Sequence, residues 1–235
     1  MSEQMILLTY KLTTMTDKEH IEEVIKRTFD VIKEVYKFQK EGDAKPIVAS
    51  RSRIIFPKKR EEDDEKDNKK KSVIRVSEQE LRFIFVEQLN KYLQPSEEGK
   101  DWDVYYSVET PTKKEYGFSN PDNKESGNID LVIHDSKLNR IALIEFKAKN
   151  PRRQSYQKDF EKLTNEPSAP YRYFIQLVVN TNSGTVPNII NEKVEVKDEM
   201  ENRWGDDSVH FICHSLASKE PIIDRVLNKK NTSPD

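Results

Sequence analysis

Apolar positions recur along the chain with two periods, and the switches between them mark out the elements. Residues 5–12 read as a strand. Over residues 17–39, Ile21, Val24, Ile25, Phe29, Ile32, Val35 and Tyr36 fall on one helical face. Thr16 or Asp17 can cap that helix, and Gly42 ends it. Residues 43–57 hold Ile47-Val48 and Ile54-Ile55-Phe56, a strand pair or an extended segment. Residues 58–71 are nearly all charge and read as a mobile linker. A second helix spans 77–93: Ser77 and Glu80 form an S-x-x-E capping box, and Leu81, Ile84, Phe85, Leu89 and Tyr92 make its packed face. Residues 102–110 alternate around Tyr106, Val108 and Thr110 as a first core strand. The polar stretch 112–126 reads as a loop carrying Tyr116 and Phe118, aromatics able to pack or to stack on bases. A helix over 153–163, a buried strand over 171–180, a last strand over 209–216 and a short helix over 221–228 complete the order. Residues 189–204 show a broken helical pattern, and the tail from 229 frays.

Between these lies the most informative stretch. Two apolar runs, 129–133 and 141–146, flank a turn at 135–140 rich in Asp, Ser and Asn, which predicts a β-hairpin. The second run is too apolar for a solvated edge and reads as a strand covered on both faces. Side chains alternate along a strand, so Glu145, Lys147 and Lys149 share one face, and Ile144, Phe146 and Ala148 the other. A carboxylate buried alone costs several kcal/mol, of order 3–5 when a partner is removed, so Glu145 needs a partner. Asp130 on the neighbouring strand is also anionic and cannot be that partner. A divalent cation would hold both acids; Mg²⁺ and Mn²⁺ favour carboxylate and carbonyl oxygens. Lys147 aims at the same space. The plain alternative is an ordinary hairpin with a surface Asp and a frayed Glu-Lys end.

Composition narrows the classes. A chain of 235 residues suits one domain with additions. The boundaries read as an N-terminal helical and strand extension at 1–57, the charged linker at 58–71 and a core at 72–228, of α/β (α+β) class with a central mixed sheet flanked by helices. Charged residues (35 %) match hydrophobic ones (34 %), so the core is modest. The net charge of −2 creates no global field that would draw in nucleic acid, leaving only local patches. One such patch is Lys149, Arg152 and Arg153 beside Pro151, where arginines and the amides of a starting helix suit a phosphate. The single cysteine, Cys213, excludes an internal disulfide and reads as a buried, inert thiol. No long apolar stretch and no signal peptide are visible, so a cytoplasmic protein with no membrane partner is expected. The first helix is a packing element, or the seam of a homodimer.

Asp130, a gap of fourteen residues and then Glu145-x-Lys147 resembles the PD-(D/E)XK nuclease superfamily. Gly127 fits the G-x-x-D variant of its pattern, and Ile129 stands where the family name has Pro. The resemblance covers the central half of the chain. It implies a restriction-endonuclease-like core and metal-dependent cleavage of phosphodiester bonds, with DNA favoured over RNA. It also implies that Asp130, Glu145 and the Phe146 carbonyl hold Mg²⁺ or Mn²⁺, with Lys147 acting on the attacking water. A glutamate of the preceding helix often completes such a site. Glu78, three residues before Leu81, fits first; Glu80, already explained by capping, is second; Glu87 is third. The glutamine some relatives place after the Glu-x-Lys strand matches Gln154 or Gln157 only weakly. The rival classes are a non-catalytic nuclease-like module that binds nucleic acid or a protein, and an adaptor built on the first helix.

Overall fold

Among the described residues six strands form one open sheet in sequence order, and helices cover both of its faces. The computed structural model describes residues 15–41, 52–59, 73–117, 124–190 and 205–228. Its elements are α1 (Asp17–Glu41), β1 (Lys58–Lys59), β2 (Val73–Ile74), α2 (Glu78–Tyr92), β3 (Val104–Tyr116), β4 (Glu125–Asp135), β5 (Arg140–Ala148), α3 (Arg153–Asn165), β6 (Tyr171–Val178), β7 (Val209–Ser215) and β8 (Pro221–Leu227). β1 and β2 make a small antiparallel pair. In the main sheet β3, β4 and β5 are antiparallel, β6 and β7 run parallel to β5, and β8 returns antiparallel to β7. The β5–α3–β6 crossover is what allows the switch from antiparallel to parallel pairing.

β5 is the centre of the molecule and is buried on both faces, as its apolar run predicts. Ala142, Ile144, Phe146 and Ala148 join Leu81, Ile84, Phe85 and the α1 residues Val24, Phe29 and Ile32 in one cluster. Phe85 meets Phe146 edge to face at 5.4 Å. On the other face Leu143 packs with Tyr156, Phe160 and Leu163 of α3 and with Phe174 and Phe211. Each such buried aromatic contributes about 1.5–3 kcal/mol. α1 therefore shares a core with the sheet through α2. Cys213 is buried on β7, where burial pushes its thiol well above the usual range.

Several expectations change. The stretch 112–126 is not all loop: β3 runs on to Tyr116 and β4 begins at Glu125. Its polar residues misled because β3 is an edge strand with little apolar demand. Tyr106 and Val108 are accordingly exposed rather than inward-facing, and Pro111 sits in this edge strand, where proline is tolerated. Tyr116 is buried and donates to Glu166, so it is not offered to bases. The stretch expected as a helix over 221–228 instead forms β8, Pro221–Leu227. Ile222, Ile223, Val226 and Leu227 fit either period, and pairing with β7 decides. Lys58 and Lys59, assigned to the linker, pair with β2. Ser77 is the N-cap of α2, but its hydroxyl bonds the Glu80 carboxylate instead of the backbone. The expectations for residues 5–12, Ile47-Val48, Phe118, the tail from 229 and most of 58–71 and 189–204 fall outside the described residues. Among the described residues no helix is long and apolar enough to cross a membrane.

Candidate functional site

The site forms where β4 and β5 part. Their register runs from His134↔Arg140 to Leu131↔Ile144, and Asp130 is the next residue on β4. There the Phe146 N–H donates to Asp130 Oδ2 at 2.8 Å, so a side chain takes a backbone donor of β5. Asp130 Oδ1 lies 3.6 Å from the Arg82 guanidinium of α2. Arg82 also ion-pairs with Glu109 of β3, whose φ of 48° places it in the left-handed region. For a non-glycine residue that backbone is costly, about 1–3 kcal/mol, and such positions concentrate at functional sites. A cleft of about 180 Å³ lies between Glu78, Arg82, Glu109, Asp130 and Phe146.

Behind the cleft runs a buried chain of charges. Glu78, at the start of α2, lies 3.7 Å from Lys147 Nζ. Lys147 lies 2.7 Å from Asp159 Oδ2 of α3. Asp159 Oδ1 lies 3.1 Å from Lys162 Nζ, and Lys162 donates to the Glu145 carboxylate and, at 2.7 Å, to the Asn128 carbonyl of β4. Lys162 thus spans the gap between the parting strands.

Burial first, then the negative charges of Asp159 and Asp130, pushes the Glu145 carboxyl well above its usual range against the pull of Lys162 and Lys147. Burial also raises Glu78; Asp130 and Asp159 add to the rise, while Lys147 opposes it. Burial works against the charge of Lys147, but Asp159, Glu145 and Glu78 outweigh it and hold the amine above its usual range. Lys147 is therefore an ammonium at neutral pH.

Of the residues singled out from the sequence, Glu78 and Lys147 lie 3.7 Å apart, Asp130 bonds the backbone between Glu145 and Lys147, and Glu145 turns to Lys162 of α3 while Asp130 turns to Arg82 of α2. Glu80 is taken by Ser77, and Glu87 accepts from the Arg53 amide and lies 3.5 Å from Lys91. Lys149 leaves the shared face: with φ 64° it turns out of β5, and its amide donates to Leu177 O at 2.7 Å. Arg152 is the exposed N-cap of α3 and Arg153 is half-buried in its first turn. Gln154 and Gln157 lie in the first turns of α3, and Gln176 of β6 stands opposite Lys147 in register and donates to the Tyr156 hydroxyl.

Sequence reasoning missed Asp159, Lys162 and Arg82. A signal existed for Asp159: with Tyr156, Phe160 and Leu163 it falls on the i, i+3, i+4, i+7 stripe that α3 buries. Lys162 follows at i+3 from Asp159. Arg82 gave no signal, because α2 carries charge on several faces.

Among the described residues Asp130 and Glu145 share no hydrogen-bond or ion-pair partner: Asp130 meets Arg82 and the Phe146 amide, and Glu145 meets Lys162. Among the described residues no three His, Cys, Asp or Glu side chains are drawn close enough to form a ready-made metal cage. The donor chemistry nevertheless fits a hard divalent cation. Among the described residues Glu78, Glu109, Asp130, Glu145 and Asp159 pair with Arg82, Lys147 and Lys162, so carboxylates there outnumber cations by two. Retained protons or a divalent ion would balance that excess. No protein-family model, curated protein or solved structure matches the chain.

Proposed function

We propose that the protein is a metal-dependent nuclease that hydrolyses phosphodiester bonds, most simply a DNA endonuclease of restriction, defence or repair type. The observation that carries this reading is that Asp130 accepts the Phe146 amide, between Glu145 and Lys147, at 2.8 Å while Lys147 Nζ lies 3.7 Å from Glu78. The order α2–β3–β4–β5–α3–β6 supports it, since a helix, three antiparallel strands, a helix and a parallel strand is the arrangement of a restriction-endonuclease-like core.

Asp130, Glu145, Glu78 and the Phe146 carbonyl would hold Mg²⁺ or Mn²⁺. Such an ion supplies a water of lowered pKa and neutralises charge on the phosphate. Lys147, held as an ammonium, donates to a phosphate oxygen and orients the water; it does not take the water's proton. Arg82 adds a second cation on the Asp130 side. Lys149, Arg152 and Arg153, along the exit of β5 and the start of α3, would meet the strand's phosphates.

The test is incubation of plasmid with Mg²⁺, Mn²⁺ or EDTA. Cleavage should require the metal and fall about 10²–10³-fold in Lys147→Ala. Metal-independent cleavage, or full activity of that variant, refutes the reading. One observation favours a second reading, a non-catalytic nucleic-acid-binding module: Lys162 already satisfies Glu145. Binding without cleavage under any divalent metal would select it.

A further inference from the structure

Beside the charged centre, on the side where the parallel strands end, lies a larger cavity of about 470 Å³. Such a volume is in the range of ligand sites, about 300–1,000 Å³. Lys149 follows β5 at its mouth, Asn180 follows β6, and Ile74, Arg75, Asn188 and Ile189 complete the wall. Open α/β sheets bind ligands outside the carboxyl ends of their strands, and this cavity occupies that position.

Three properties of the lining define the ligand. Ile74 and Ile189, with neighbouring valines, give an apolar surface against which a flat ring can lie. The carboxamides of Asn180 and Asn188 hydrogen-bond to no described residue, so each offers an unspent donor and acceptor. That pairing matches the edge of a nucleobase. Arg75 and Lys149 put positive charge at the rim. Lys149 is exposed and paired with no described acid, and Arg75 is only loosely held, 3.8 Å from Glu80. The rim is preset: Asn182 Oδ1 accepts from the Gly184 amide at 3.0 Å and from Thr185 Oγ1 at 3.1 Å, closing the turn that leads to Asn188. The wall is also continuous with the centre, since Lys149 is two residues beyond Lys147 and its amide is tied to Leu177 of β6.

We infer that this cavity receives one unstacked nucleotide of the substrate strand, its base against Ile74 and Ile189 and paired by Asn180 or Asn188, its phosphate at Arg75 and Lys149. That the nucleotide belongs to a strand rests on the phosphodiester-hydrolase reading. The pocket then selects unpaired or easily opened positions, because extruding a base from a stable duplex costs more than binding one already free.

The experiment uses the full chain in EDTA, where binding is read without turnover. A single-stranded oligonucleotide carrying 2-aminopurine is titrated into the wild type and into Asn180→Ala/Asn188→Ala, whose positions are exposed and whose fold is checked by circular dichroism. The wild type should unstack the probe and raise its fluorescence. The double variant should bind about tenfold more weakly and lose that rise. Binding within about twofold of wild type, or a free mononucleotide bound as tightly as the oligonucleotide, overturns the inference. Metal-dependent plasmid cleavage is scored separately. Cleavage with variant-insensitive binding removes the pocket and leaves the hydrolase; variant-sensitive binding without cleavage does the reverse.

Discussion

Lys162 of α3 closes on the carboxylate of Glu145 inside the molecule, the amine side chain 5 % and the carboxylate 1 % exposed. Neither charge could be buried alone, so each requires the other. Removing one partner of such a pair typically costs about 3–5 kcal/mol, whereas removing both costs far less. Lys162→Met should therefore destabilise strongly, and Lys162→Met/Glu145→Gln should recover more than half of the loss. Urea unfolding of the three proteins measures this. A single variant within about 1 kcal/mol of wild type would mean that the pair is not structural.

Asp130 has two separable duties. Its Oδ2 accepts the Phe146 N–H, and its charge faces Arg82 and the cleft. Asp130→Asn keeps an acceptor for Phe146 and removes the charge; Asp130→Ala removes both. Cleavage should fall about 10²-fold or more in each. Only the alanine variant should also lose about 1–3 kcal/mol of stability, the cost of an unpaired amide. Equal stability of the two variants, by thermal melting, would show that the strand parting does not depend on this bond.

The pH dependence of stability follows from Glu145. Its folded carboxyl sits well above the ordinary 4.5, first because of burial. A raised pKa contributes stability that is complete below the unfolded value and is lost as pH rises through the folded one. Lys162 is raised too, so its contribution stays constant over this window and falls away only above its ordinary 10.5. Wild type should thus lose stability on this account between about pH 4.5 and about pH 8, and Glu145→Gln should lose less. Urea midpoints at the two pH values decide; parallel profiles would exclude Glu145 as the source.

His214 produces the opposite slope on the acid side. It is buried on β7 and stacked on Phe29 of α1 at 3.8 Å. Burial, helped by Lys33 and opposed by Asp224, lowers its pKa from 6.5 to about 3. The unfolded chain therefore takes up a proton below pH 6.5 that the folded chain refuses until about pH 3. Stability from this group is full above 6.5 and drains as pH falls, on the order of 1–4 kcal/mol by pH 4. His214→Phe keeps the ring and should flatten that limb of the profile. An unchanged acid limb would rule His214 out.

Glu166 clamps the irregular part of β3 to the end of α3. Its fully buried carboxylate accepts from Arg140 Nη1 at 2.6 Å, the Lys113 and Lys114 amides at 2.6 and 3.3 Å, and the Tyr116 hydroxyl at 3.1 Å. Glu166→Ala strands all four donors and should cost about 3–5 kcal/mol. Hydrogen exchange at Lys113 and Lys114 should accelerate first; protection there at wild-type levels would contradict the clamp.

The sequence by itself determined the parts whose signal is local. The apolar run of β5 had to lie between two layers, the 3.6-residue periods of α1 and α2 had to bury their faces, and Asp130, Glu145 and Lys147 had to lie near one another once a hairpin closed. Glu78 was legible as the first acid of α2. Tertiary structure decided what depends on partners distant in the chain. β3 stays a strand through polar residues because β4 supplies its ladder and Glu166 its anchor. β8 is a strand because β7 offers an edge. Lys162, seventeen residues from Glu145, becomes its partner only when the crossover lays α3 over β5. Periodicity reports which face of an element is buried, but which charge meets which inside a fold is set by the order in which strands and helices pack.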